Sequence, residues 1–115
     1  MNDPNTYEPD PIPNKHKAVW PQVLADLKEK IGIPPTLLED MRSRDQFGLK
    51  KYGTQLQPFN GRNPIRDAYQ EALDLCVYTK QATIENPADR EVDEAHGKAV
   101  RCAIALRQLL DKKKE

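Results

Sequence analysis

The sequence predicts an all-α fold: a bundle of about four helices over residues 17–115, preceded by a Pro-rich arm, residues 1–16. Three observations predict it. Apolar residues recur at helical spacing in four separate stretches. Pro, Gly and Asn-Pro signals punctuate the chain between those stretches. No stretch alternates apolar and polar residues with the period of two that a strand requires. A chain of 115 residues is one domain at most. Such a chain buries about two-thirds of its unfolded surface.

The arm comes first. Pro4, Pro9, Pro11 and Pro13 stand among polar residues. That composition cannot bury itself, so the arm is expected to be extended or disordered, or to lie across a partner subunit. The first helix falls within residues 17–31, where Val19, Trp20, Val23, Leu24, Leu27 and Ile31 approximate helical spacing. Pro21 fits only a first turn, so the helix begins near Trp20, and Gly32 closes it. Trp20 is expected to anchor a core or an interface, with base stacking as the alternative.

Pro34-Pro35 breaks the chain, and Thr36 with Glu39 has the spacing of a capping box that opens a second helix. Its apolar side runs through Leu38, Met41, Gly48 and Tyr52, with Asp45 on that same side. A carboxylate there costs free energy unless it is paired, for example with Arg42 or Arg44, or bound to a metal. Lys50 and Lys51 followed by Gly53 give the helix a cationic last turn and a glycine stop. Residues 54–62 make a loop with a turn at Asn60-Gly61, and Arg62 ends it.

The central helix runs from Asn63 to Ile84. Asn63 caps it and Pro64 suits its first position. Ile65, Ala68, Tyr69, Ala72, Leu73, Leu75, Cys76 and Val77 cover more than half its circumference, so it is expected to pack on several sides. The remaining arc carries Asp67, Glu71, Asp74 and Tyr78 in one narrow stripe. Like charges at that spacing destabilise a bare helix. The stripe is either a solvated face or a cation site. A last helix is expected to start at Asn86-Pro87 and to run to about Lys112, on a stripe of Ala95, Ala99, Cys102, Ala103, Leu106 and Leu110. His96 on it is expected to be structural or exposed.

Lys plus Arg and Asp plus Glu number 18 each, so no charge bias points to polymeric nucleic acid or an acidic membrane. No apolar stretch approaches the length of a membrane span. The N-terminus is polar rather than apolar, so no signal peptide is expected and the expected compartment is the cytoplasm. The two cysteines, Cys76 and Cys102, lie among apolar residues and are expected to be core thiols of a reducing compartment. No Ser-His-Asp or Cys-His constellation and no phosphate-cradling glycine loop is present.

What remains is oxygen-ligand chemistry. Asp45, Glu71 and Asp74, with Asp67, suit Mg²⁺ or Mn²⁺, which bind phosphates and activate water. Lys50, Lys51 and Arg62 are the matching candidates for phosphate contacts, because Arg62 adjoins a helix N-terminus, itself an anion site. An uncovered apolar patch on the central helix would mark an interface, so a homo-oligomer is expected, a dimer at least.

Glu71-Ala72-Leu73-Asp74 resembles the E-x-x-D half-motif of the MazG-like, all-α nucleotide pyrophosphohydrolases. The runs from Asp45 to Gly53, Asn60 to Arg62 and Asp67 to Asp74 look like the small MazG-like proteins of bacteriophages. The resemblance covers about residues 36–84. It implies a four-helix metal site, a dimeric or tetrameric homo-oligomer, and hydrolysis of a nucleoside triphosphate to the monophosphate and pyrophosphate. For a phage-encoded chain the compartment would be the host cytoplasm. On this reading Asp45, Glu71 and Asp74 are catalytic and hold Mg²⁺ with Asp67. Lys50, Lys51, Asn60, Arg62 and Tyr78 contact the nucleotide. The sequence departs from the family in one place. The usual E-E-x-x-E cluster of the preceding helix is reduced to Glu39, Asp40 and Asp45, with Met41 and Arg42 where acids belong. That departure motivates an alternative, a non-catalytic protein that sequesters a signalling or defence nucleotide. A third reading is a structural helical oligomer without a ligand.

Overall fold

The computed structural model describes residues 3–112. The described residues form four helices and no strand, so the all-α class and the helix count hold. They are α1 (Val19–Lys28), α2 (Pro35–Tyr52), α3 (Pro64–Glu85) and α4 (Arg90–Lys112). α3 packs on α4, and α1 packs on α2. The chain divides into two compact units. Among the described residues, one unit joins residues 3–9 to residues 63–112, and the other is Asp10–Arg62.

The α3–α4 unit is built on small residues. Ala72 of α3 and Ala99 and Ala103 of α4 are buried, and Leu110 is 4% exposed. Alanines bring two helix backbones close, and a large side chain at these positions would hold them apart. Thr79 Oγ1 of α3 stands 2.8 Å from His96 Nδ1 of α4, so His96 is a tie between helices. Arg107 bonds Asp111 one turn on and lies over the Tyr69 ring. The hydrogen bond to Asp111, and after it that to Tyr69, hold its pKa above the ordinary arginine value. Only part of the broad apolar arc of α3 is covered. Leu75, Val77, Tyr78 and Ile84 stay exposed, as do Ile104 and Leu109 of α4. Of the expected stripe on α4, Ala99, Ala103 and Leu110 are buried and Leu106 is half-buried, while Ala95 and Cys102 are exposed. Both cysteines are free thiols.

The α1–α2 unit has no buried apolar residue among those described; its two buried side chains are Asp45 and Asn60. Its loop and arm are held by side-chain amides. Gln57 accepts the Asn14 N–H and donates to the carbonyls of Asn14, at 2.7 Å, and His16, at 2.8 Å. Asn14 in turn donates to the carbonyls of Pro58 and Phe59. The backbone N–H of Val19, at the start of α1, donates to Leu56 O. The arm therefore lies along residues 57–60 of the same chain through Ile12, Asn14 and His16, bending at Lys15-His16, where His16 N donates to the Asn14 side chain.

Several ends follow the local chemistry read from sequence. The Asn63 side chain accepts from Ile65 N and Arg66 N, with Pro64 at the first position. Gly53 ends α2 at φ +77, where only glycine is unstrained. Two ends differ. Pro34, not Thr36, is the N-cap of α2, and no side-chain cap bond forms. Proline has no side-chain oxygen to accept from the N–H groups of Thr36 and Leu37, so Leu37 N donates to the Pro34 carbonyl instead, and Pro35, whose missing N–H would be unpaired anyway, suits the first position. Asn86 does not start α4 but ends α3, donating its N–H and its side-chain amide to Ala82 O. Asp89 starts α4, accepting from Glu91 N and Val92 N. An aspartate at an N-cap also carries a charge that suits the dipole, which an asparagine does not.

Candidate functional site

The acidic stripe lies on α3. The first turn carries Asp67, which is half-buried. Glu71 and Asp74 are exposed and make no hydrogen bond or ion pair among the described residues. Tyr78 is 68% exposed a turn further on. Among the described residues no group of three or more His, Cys, Asp or Glu is gathered as a metal-binding cluster. Asp67, Glu71 and Asp74 share a stripe without converging.

Asp45 belongs to the α1–α2 unit, on the inward side of α2, and is 7% exposed. Neither Arg42 nor Arg44 pairs with it. Arg44 lies instead over the Phe47 ring. The partner is the Gln55 side-chain amide, which donates to both carboxylate oxygens at 3.1 and 2.9 Å. An amide donor relieves the cost of burial without supplying charge. Sequence spacing did not reveal Gln55, because it lies past the end of the helix.

The cations and the loop come next. Lys50 and Lys51 are exposed on the last turn of α2, with the Lys51 ammonium 5.3 Å from the Tyr52 ring centre. Asn60 is buried and structural: its backbone carbonyl accepts from Ile12 N, and its side chain accepts from Arg62 N. Gly61 follows at φ +87, completing the turn that Asn60-Gly61 predicts. Arg62 is half-buried and leads into α3.

The N-terminal end of α3 carries residues that sequence reading missed. Arg66 is 8% exposed. Its guanidinium donates to Asp3 O at 2.7 Å and pairs with Glu8 at 3.6 Å. Glu8 also accepts the Asn63 backbone N–H at 2.6 Å. Gln70, one turn on, donates to the carbonyls of Pro4 and Thr6. A signal for this was present. An arginine in the first turn opposes the helix dipole and calls for an anion, but nothing local says that the anion comes from Glu8. No protein-family model, curated protein or solved structure matches the chain.

Proposed function

We propose that the chain binds a nucleotide and is a Mg²⁺-dependent nucleoside triphosphate pyrophosphohydrolase of the MazG-like kind. One observation carries this reading. Glu71 and Asp74 stand exposed and unpaired one turn apart, on a helix whose N-terminal end already holds a carboxylate. Mg²⁺ is commonly held by one or two carboxylates together with substrate phosphates, so two unpaired acids suit it without a preformed cage. Mn²⁺ would suit the same oxygens. The ion would supply charge neutralisation and an activated water. Glu71 and Asp74 would hold it, with Asp67 of the same helix as a further candidate. Arg62, Lys50 and Lys51 would hold phosphates. Asn60 would keep Arg62 in position through its turn, and the exposed Tyr78 offers a ring to the nucleotide.

A second reading rests on Asp45. Both of its oxygens are engaged by Gln55, which leaves it less available to a metal. That favours a sequestering protein, which binds a nucleotide and returns it intact. Incubation with a panel of nucleotides and Mg²⁺, followed by phosphorus NMR and chromatography, separates the two. Pyrophosphate and monophosphate are the expected products. Bound nucleotide recovered unchanged supports sequestration, and a protein that neither binds nor hydrolyses any of them contradicts both.

We also propose a homo-oligomer formed through exposed apolar residues of α3 such as Val77 and Ile84, which share one side of the helix. Light scattering at micromolar concentration is expected to give a dimer or larger. A stable monomer contradicts it.

A further inference from the structure

Among the described residues, Phe59 is the one residue other than glycine with a left-handed backbone, at φ +56. It stands in the loop of residues 54–62. A bulky side chain is strained there, and glycine or asparagine takes the same conformation at less cost. The phenyl ring gains little from burial in return, since Phe59 is 80% exposed. Its surroundings hold it in place. Asn14 Nδ2 donates to the carbonyls of Pro58, at 2.9 Å, and of Phe59, at 3.1 Å. Gln57 fixes Asn14 in turn, accepting its backbone N–H and donating to its carbonyl. Strained residues that their neighbours over-determine cluster at ligand clamps and other functional sites.

The ring has a second ring beside it. The His16 imidazole lies 4.6 Å from it, centre to centre, tilted by 42°. The same amides that fix Phe59 fix His16: its N–H donates to Asn14 Oδ1, and its carbonyl accepts from Gln57. His16 is exposed, and so are Lys15 and Lys17, its neighbours in sequence. Arg62 follows Phe59 by three positions in the same loop. A fixed, open aromatic ring with cations on the segments that carry it suits a flat ligand bearing negative charge. A nucleotide is such a ligand, with a π-face on its base for the ring and phosphates for the cations. An apolar protein surface is the poorer occupant, because docking it would take those cations out of water.

We propose that Phe59, backed by His16, is a stacking platform for the base of a bound nucleotide. The inference rests on the nucleotide-binding reading above, which gives this loop phosphate contacts through Arg62 and no base contact. Stacking uses only the π-face, which every base has. The platform therefore favours a nucleotide over a bare phosphate without selecting one base. The strain is held in the free protein, so the loop need not be ordered or distorted when the ligand arrives, and that preorganisation favours binding. No covalent step is involved.

The probes are a panel of ribo- and deoxyribonucleoside triphosphates and inorganic pyrophosphate, titrated by calorimetry into the full chain. Phe59→Gly should weaken every triphosphate that the parent binds by about tenfold, the scale of one base stacked on one ring. It should leave pyrophosphate binding unchanged, and Phe59→Tyr should keep the parent's affinity. Glycine takes a φ of +56 without strain. Phe59→Gly should therefore be no less stable to urea than Phe59→Ala, the reverse of the usual order. The usual order would remove the strain and with it the inference. Triphosphate affinity that is equal in the parent and Phe59→Gly overturns the platform. If Arg62→Ala then still weakens nucleotide binding, the binding reading survives alone. Equal losses of triphosphate and pyrophosphate in Phe59→Gly also overturn it, because the ring would then hold the loop rather than a base. If the parent binds no triphosphate, both fall together.

Discussion

Ala72, Ala99, Ala103 and Leu110 are buried where α3 meets α4, whereas the buried residues of the α1–α2 unit are a carboxylate and an amide, Asp45 and Asn60. One unit is held by close helix contact. The other is held by glutamine and asparagine side chains that reach backbone and carboxylate oxygens across a loop. The difference bears on stability. Apolar burial tolerates small shifts in geometry, since it scales with area. A buried polar network is favourable only while every member is satisfied. The α1–α2 unit should therefore be the softer one to heat and the more sensitive to single polar deletions.

The largest effect is expected in the apolar unit. Leu110→Ala should cost about 2–4 kcal/mol, the range for a buried leucine that leaves a cavity. Leu24→Ala in α1, where the side chain is half-buried, should cost clearly less. Urea unfolding followed by circular dichroism measures both, and equal losses would erase the contrast.

Next comes Gln55→Ala. It strips Asp45 of the amide that bonds both its oxygens and should cost about 1–3 kcal/mol, the penalty for a buried group left without its partner. Gln55→Ala combined with Asp45→Ala should cost less than the sum of the two single changes. Strict additivity would mean that the two groups do not interact.

Caps give a smaller effect. Asn63→Ala should lose about 1 kcal/mol, the usual worth of an N-cap. Thr36→Ala should lose little, because no side-chain bond caps α2. Smallest is the acidic stripe. Glu71→Gln should raise stability by about 0.2–0.5 kcal/mol in the absence of Mg²⁺, by relief of like-charge repulsion. That gain should disappear with Mg²⁺ present, because the ion stabilises only a folded state that binds it.

The features legible in the sequence were those decided within a few residues. Asn63-Pro64 announces its helix start because the cap and the N–H groups it serves are three positions apart at most. Gly53 and the Asn60-Gly61 turn are legible for the same reason. Asn86 misled because Asn-Pro suits both a helix stop and a helix start; Asp89, three residues on, is the better cap. Distant partners left no trace. The Gln55 amide finds Asp45 ten residues back, Glu8 reaches Asn63 over 55 positions, and Asn14 meets the 57–59 loop over more than 40. In each case the residue type permits many partners, and only the folded chain selects one. The same holds for the candidate site. The stripe of Asp67, Glu71 and Asp74 was readable from helical spacing, but the engagement of Asp45 by Gln55 was not.

The most direct measurement compares turnover with binding in three variants. A nucleoside triphosphate that the parent binds is titrated by calorimetry into Glu71→Gln, Asp74→Asn and Arg62→Ala, and pyrophosphate release is followed with Mg²⁺ present. The acid variants should lose turnover with their helix content intact. Arg62→Ala should lose about 1.5–3 kcal/mol of binding, the scale of a charge-assisted hydrogen bond. Parent-level pyrophosphate release from both acid variants would contradict the account.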